Sequence, residues 1–124
     1  MEPSQRLLSI VIIVTSIAIS STAHVVLKRG MQAKSETADG LLGTLLAVAQ
    51  NPWVLTGMCL HVLALGVWLA ALKRVDITFA YPFLALGYVL VALMGVLWLG
   101  ESLGTTRLAG MAIIVVGIVV LSRG

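Results

Sequence analysis

Hydrophobic positions along the chain fall into four long runs that contain no charged residue. These runs cover residues 7–27, 40–72, 77–100 and 108–122. A helix needs about 20 apolar residues to cross roughly 30 Å of hydrocarbon. The first three runs meet this length, and the fourth meets it if Thr105 and Thr106 join the helix or the bilayer is locally thin. The pattern therefore predicts an all-α integral membrane protein with four transmembrane helices and short loops.

Polar residues between the runs set the expected helix boundaries within a single membrane domain, residues 1–124. Asn51 is a candidate N-cap and Pro52 a candidate first helical residue. The segment 41–50 is too short to span, so we expect it to lie along the interface or to extend the next helix. Four helices make a thin wall around a substrate path, which favours a dimer. The predicted helices cover about residues 7–28, 52–73, 77–100 and 105–121.

Composition agrees with a membrane location, since 60% of the residues are hydrophobic and only 10% are charged. The single cysteine, Cys59, excludes an intrachain disulfide. The net charge of +3 does not indicate a nucleic-acid partner, because the basic residues are few and lie at predicted membrane edges. They are divided equally: Arg6, Lys73, Arg74 and Arg123 on one side, and Lys28, Arg29, Lys34 and Arg107 on the other.

This balance leaves the membrane orientation open. Lysine and arginine normally accumulate on the cytoplasmic side. Either the protein adopts one orientation for reasons that the count of lysines and arginines does not show, or it inserts in both orientations and forms an antiparallel dimer. A further alternative is a signal peptide over residues 1–23, ending in Ser21-Thr22-Ala23. The apolar run continues to Leu27, which favours a full transmembrane helix instead.

The first helix carries a polar stripe. Thr15 and Thr22 lie roughly opposite to it. Polar side chains in a membrane usually face other helices or a hydrated cavity. The serines are therefore either helix-packing groups or substrate ligands, and Lys28 either binds substrate or reaches towards the interface. At 100° per residue, the stripe spans an arc of about 140° and comprises Ser9, Ser16, Ser20, Ser21, His24 and Lys28.

Further candidate ligands lie on the second and third helices. Tyr81 and Tyr88 are seven residues apart, so both can face one cavity, and Pro82 predicts a distortion at the start of that helix. Glu101 follows the same helix and is either a ligand or a solvated loop residue. The predicted substrate-binding residues are Ser16, Ser20, His24, Lys28, His61, Trp68, Tyr81, Tyr88 and Glu101.

The two histidines do not predict a metal site or an enzyme. His24 and His61 lack the ligand number of a closed metal centre, and no carboxylate or cysteine joins them at metal spacing. We expect no cofactor and no catalytic residue. Histidine titrates near physiological pH, so a role in proton coupling stays open. On the fourth helix, Gly110 and Gly117 predict close packing in a dimer, and we assign that helix to packing rather than to the substrate wall.

Several short motifs, taken in order, resemble one family. They are VVLKRG at the end of the first helix, NPWVLTG before the second, Ala80-Tyr81-Pro82 and Leu99-Gly100-Glu101 bounding the third, and Gly110-x6-Gly117 in the fourth. Together they resemble the four-helix, EamA-like members of the drug/metabolite transporter superfamily. Small multidrug resistance proteins are one branch. They are antiparallel dimers that exchange protons for cations through a glutamate in the first helix, where this chain has Ser20.

The chain is more similar to the other branch, the subunits of the undecaprenyl phosphate-aminoarabinose flippase. This resemblance implies a homodimer or heterodimer that moves a lipid-linked sugar across the bacterial inner membrane. Lys28 is then expected to bind phosphate, while the Ser/His stripe and the tyrosines replace the hydration of the sugar. The alternatives are a small-molecule exporter of the multidrug type and a non-transporting accessory subunit.

Overall fold

The computed structural model describes residues 2–33 and 40–124, which form helices and connecting turns without a strand. Lys34, assigned above to one membrane edge, lies outside these residues. The described elements are α1 (Pro3–Ala33), α2 (Gly40–Gln50), α3 (Pro52–Leu72), α4 (Ile77–Ala80), a 3-10 turn (Tyr81–Phe83), α5 (Leu84–Leu99) and α6 (Thr105–Ser122).

Four helical segments in the described part of the chain are long and apolar enough to cross a membrane. They are Pro3–Gln32, Pro52–Leu72, Ile77–Leu99 and Thr105–Ser122, with 30, 21, 23 and 18 residues. The prediction of an all-α membrane protein with four transmembrane helices is thereby confirmed. The last of these segments begins at Thr105, so both threonines at that end belong to the helix.

The first helix is the centre of the bundle. It packs most extensively against α3 and next against α5, whereas α6 contacts mainly α5. Glycines allow α1 and α3 to approach closely. A Cβ added to Gly57 would lie 2.6 Å from the Leu27 Cγ, and one added to Gly30 would lie 2.7 Å from the Trp53 Cβ.

Asn51 joins the start of α3 to the end of α1. Its Oδ1 accepts a hydrogen bond from the Trp53 backbone N–H at 3.0 Å, which makes Asn51 the N-cap of α3 with Pro52 as the first helical residue. Its Nδ2 donates to the Gly30 carbonyl oxygen at 2.8 Å. The predicted cap is confirmed, and the same buried side chain also fixes the relative position of the two helices.

Pro82 interrupts the third membrane-spanning segment near its start. Proline lacks an amide hydrogen and clashes with the preceding helical turn. Here the chain passes through the 3-10 turn, in which Phe83 is buried. Phe83 belongs to a core at this end of the bundle, together with Ile13, Ile17, Ala71, Val75 and Ala80.

The short helix α2 has no buried residue and makes few contacts with the bundle. Four of its leucines, Leu41, Leu42, Leu45 and Leu46, are more than half exposed. Its amino acids are largely apolar, so an exposed position in a membrane protein favours contact with lipid. That it lies along the interface stays a prediction.

Candidate functional site

A cavity of about 990 Å³ lies between α1, α3, α5 and α6. It is bounded by the polar stripe of α1 on one side and by the start of α6 on another. The structure brings all nine predicted substrate-binding residues to this one cavity. They are Ser16, Ser20, His24, Lys28, His61, Trp68, Tyr81, Tyr88 and Glu101.

The cavity extends over much of the depth of a bilayer. Ser16 and Lys28 both line it and are separated by 12 residues of α1, which corresponds to about 18 Å along a helix axis. Trp68 and Tyr81 lie towards one end, and Lys28 and Glu101 lie at the other. A ligand in this space can therefore contact aromatic groups at one end and charged groups at the opposite end.

The serine hydroxyls of the α1 stripe differ in whether they already have a hydrogen-bond partner within the protein. The Ser16 hydroxyl is buried and donates to the Ala64 carbonyl oxygen of α3 at 2.8 Å. The Ser21 hydroxyl is also buried and lies 3.5 Å from the Gly87 carbonyl oxygen of α5. Ser20 makes no hydrogen bond with another described side chain or backbone group, so its hydroxyl remains available to a ligand. Ser9 donates to Gln5 within α1 and lies outside the cavity.

The two histidines face each other across the cavity wall formed by α1 and α3. Their ring centroids are 4.6 Å apart with an interplanar angle of 78°, an edge-to-face arrangement. Among residues 2–33 and 40–124, no third histidine, cysteine or carboxylate completes a metal-binding group with them. The two adjacent imidazoles can each donate and accept hydrogen bonds with a polar ligand or with water.

Three aromatic residues line the cavity on the side of α3 and α5. Trp68 and Tyr81 are in edge-to-face contact, with centroids 6.5 Å apart. Tyr88 also lines the cavity, yet 73% of its surface is exposed in the single chain. The cavity is therefore open on the side where Tyr88 lies, and this opening faces either lipid or a second subunit.

The charged end of the cavity contains an ion pair that the sequence did not predict. The Lys28 ammonium on α1 contacts the Glu101 carboxylate in the turn after α5. The side chains are 51% and 40% exposed, respectively. Exposed pairs of this kind contribute only about 0–1 kcal/mol to stability. The pair neutralises Lys28 in this state, but the small gain means that a charged ligand can replace either partner at little cost.

Arg107 is a charged cavity residue that the sequence did not predict as a ligand. It lies at the start of α6, is exposed, and lines the cavity together with Lys28 and Glu101. It forms no salt bridge with a described residue. Arg29 lies at the same end of α1, but its guanidinium is 5.6 Å from the Trp53 ring centroid and does not line the cavity. Among the residues that the structure describes, the charged end of the cavity thus holds two cations and one carboxylate.

The role predicted for the fourth transmembrane helix is wrong. We expected this helix to serve packing and not to form part of the substrate wall, but it lines the cavity through Arg107, Gly110, Met111 and Ile114. The helix passes close to the cavity because it packs on α5, which in turn packs on α1. Gly117 lies outside the cavity, and a Cβ on Gly110 or Gly117 would meet nothing within 4 Å. Their packing against a second subunit stays a prediction.

In the described part of the chain, four spanning helices surround a laterally open cavity that is mostly apolar but carries the polar stripe of α1 and a charged end. This arrangement defines a small multi-pass membrane protein of the transporter class. The profile of the EamA-like transporter family matches residues 40–123, and the chain belongs to this family.

Two relatives show where the chain falls within the family. A protein of Enterobacter sp. (strain 638) named "Probable 4-amino-4-deoxy-L-arabinose-phosphoundecaprenol flippase subunit ArnF" is 32% identical over 111 residues, or 86% of this chain and 87% of the relative. A protein of Pseudomonas paraeruginosa named "Probable 4-amino-4-deoxy-L-arabinose-phosphoundecaprenol flippase subunit ArnE" is 37% identical over 86 residues, or 69% of this chain and 71% of the relative. No solved structure matches the chain at a significant level.

Proposed function

We propose that the chain is a subunit of a flippase that moves an undecaprenyl phosphate-linked amino sugar across the bacterial inner membrane. The relatives named ArnE and ArnF carry this activity in their names. The observation that supports it most strongly is the shape of the cavity. One space joins the charged end at Lys28, Glu101 and Arg107 to the hydroxyl and imidazole groups of α1 and α3.

This arrangement suits a substrate with a charged phosphate, a polar sugar and a long apolar tail. Arg107 and Lys28 offer cationic groups to the phosphate, and arginine also supplies a planar set of donors. Ser20, His24 and His61 can replace water around the sugar hydroxyls. The remaining lining of the cavity is mostly apolar and suits the tail where it joins the headgroup.

Two copies of the fold are needed to enclose such a headgroup. The wall beside Tyr88 is open in one chain, and the chain resembles both the ArnE and the ArnF subunit to a similar degree. We therefore propose a dimer, formed with a paralogous subunit or with a second copy of this chain. Gly110 and Gly117 are the proposed packing positions on α6.

The test is transport in proteoliposomes. This chain alone, the paralogous subunit alone and both subunits together are each reconstituted, with empty liposomes as the control. Movement of undecaprenyl phosphate-linked aminoarabinose between leaflets is then followed. We expect transport with both subunits or with this chain alone, and faster than in empty liposomes. Transport by the paralogous subunit without this chain would make the chain an accessory subunit. The absence of transport in every arrangement would refute the proposed function.

A small-molecule exporter of the multidrug type is the second candidate, and the His24–His61 contact favours it. Imidazoles are side chains that can carry protons during transport, and this chain has Ser20 where that branch has a glutamate. Proton release from the purified protein on addition of a cationic substrate, with no response to the lipid-linked sugar, would select this candidate.

A further inference from the structure

The position of Glu101 is built into the end of α5. Gly100 adopts a left-handed conformation, with φ of +68°, that ends the helix. The Glu101 backbone N–H then donates to the Gly95 carbonyl oxygen at 3.1 Å. The carboxylate lies over the α-carbon of Gly95, where a Cβ would come within 2.8 Å of Oε2. Glu101 is therefore held at the cavity by a helix cap and by a glycine that leaves room for it.

Glu101 is also the only carboxylate among the described residues that line the cavity, and it lies with two cations, Lys28 and Arg107. A lipid-linked amino sugar carries one negative and one positive charge, which can pair with a cation and with the carboxylate of the protein. Its phosphodiester is an anion, and its amine is an ammonium ion near neutral pH. Binding can therefore exchange partners without leaving a charge unpaired.

We propose that Glu101 is a specificity residue that binds the ammonium group of the substrate sugar while Lys28 and Arg107 bind its phosphate. This inference rests on the proposed function. In the free protein Lys28 pairs with Glu101, as the structure has it. When the headgroup enters, Lys28 turns to the phosphate and the sugar amine takes its place on Glu101.

The exchange explains how the cavity would reject a neutral sugar on the same lipid. Such a lipid also draws Lys28 towards its phosphate, but it provides no cation for Glu101. The carboxylate then either loses its partner or competes with the phosphate for Lys28. Leaving a charge without a partner is an effective way to discriminate against a competing ligand.

The test compares two lipids on the purified full-length protein in nanodiscs, together with its paralogous subunit if transport requires it. One lipid is undecaprenyl phosphate-linked 4-amino-4-deoxyarabinose, and the other has a hydroxyl group in place of the amine, which removes the charge with little change in size. We expect the wild-type protein to bind the amino sugar about 10-fold more tightly, equivalent to about 1.4 kcal/mol. Glu101→Gln should bind both lipids equally.

Two further variants make the result specific. Gly95→Ala keeps the carboxylate but displaces it, because the new Cβ would lie 2.8 Å from Oε2, and it should reduce the preference. Asp76→Asn removes an exposed carboxylate at the opposite end of the bundle and should bind both lipids like the wild type. Gly95→Ala also provides the answer if Glu101→Gln fails to fold.

The outcomes separate this inference from the proposed function. If the wild-type protein binds neither lipid, the proposed function is wrong. If it binds both lipids equally, or if Glu101→Gln and Gly95→Ala keep the full preference for the amine, the flippase proposal stands and the role of Glu101 is overturned.

Discussion

The Ser16 hydroxyl on α1 donates a hydrogen bond to the Ala64 carbonyl oxygen on α3, at 2.8 Å and in a buried position. Four residues later on the same face, Ser20 lines the same cavity without such a partner. Two serines of one stripe therefore have different tasks. The first joins two helices, and the second offers its hydroxyl to whatever enters the cavity.

Replacing each serine separates these tasks. Ser16→Ala should lower stability by about 0.5–2 kcal/mol, because interhelical hydrogen bonds in membrane proteins have about this strength. Ser20→Ala should leave stability nearly unchanged and weaken binding of the lipid-linked sugar. Thermal unfolding in detergent and lipid binding in nanodiscs measure the two effects. Equal losses of stability in both variants would contradict this division.

The close approach of α1 and α3 depends on Gly57. Gly57→Ala would place a Cβ 2.6 Å from the Leu27 Cγ and 3.2 Å from the Ala23 carbonyl oxygen, and we expect a loss of about 1–3 kcal/mol. Gly66, on the same helix, has nothing within 4 Å of its added Cβ. Gly66→Ala should therefore be neutral or stabilising by up to about 1 kcal/mol. Melting temperatures of the two variants test this, and a stable Gly57→Ala protein would show that the helices are not so close.

Asn51 has two hydrogen bonds that can be removed one at a time. Asn51→Ala removes the cap of α3 and the bond to Gly30, and should cost about 1–3 kcal/mol. Asn51→Ser keeps a side-chain oxygen that can cap the helix but is too short to reach Gly30. We expect its unfolding temperature to fall between those of wild type and Asn51→Ala. A Ser variant as unstable as the Ala variant would mean that the cap contributes nothing.

Arg107 and Arg29 test the charged end of the cavity. Arg107→Gln should weaken binding of undecaprenyl phosphate by about 10-fold or more, since hydrogen bonds to charged groups contribute about 1.5–3 kcal/mol. Arg29→Gln removes an equal charge from the same end, but this guanidinium contacts Trp53 instead of the cavity. It should bind the lipid like the wild type. If the two variants weaken binding equally, the effect is one of general surface charge.

The sequence predicted those features that depend on neighbours along the chain. The charge-free runs predicted four transmembrane helices, Asn51-Pro52 predicted the start of α3, and Pro82 predicted the distortion that the structure has as a 3-10 turn. Helical periodicity also placed Ser20, His24 and Lys28 on one face, and all three line the cavity. Each of these follows from local geometry or from the apolar solvent.

The sequence could not predict features that depend on how the helices pack. Lys28 and Glu101 are 73 positions apart, and no local pattern indicates their contact. Arg107 was counted as a membrane-edge charge because its position at the cavity follows only from the packing of α6 on α5. The different roles of Ser16 and Ser20 could not be predicted for the same reason. Periodicity shows which face of a helix a residue occupies, but not how closely that residue packs against a neighbouring helix.

The central claim is that the Ser/His side of α1 faces a hydrated cavity while its opposite side faces lipid. Single cysteines introduced by Ser20→Cys, His24→Cys, Thr15→Cys and Thr22→Cys, each in a Cys59→Ala background, can be tested with a water-soluble thiol reagent in native membranes. We predict that Ser20→Cys and His24→Cys react quickly and are protected by the lipid-linked sugar, whereas Thr15→Cys and Thr22→Cys react slowly. Equal reactivity at all four positions, or faster reaction on the threonine side, would contradict the account.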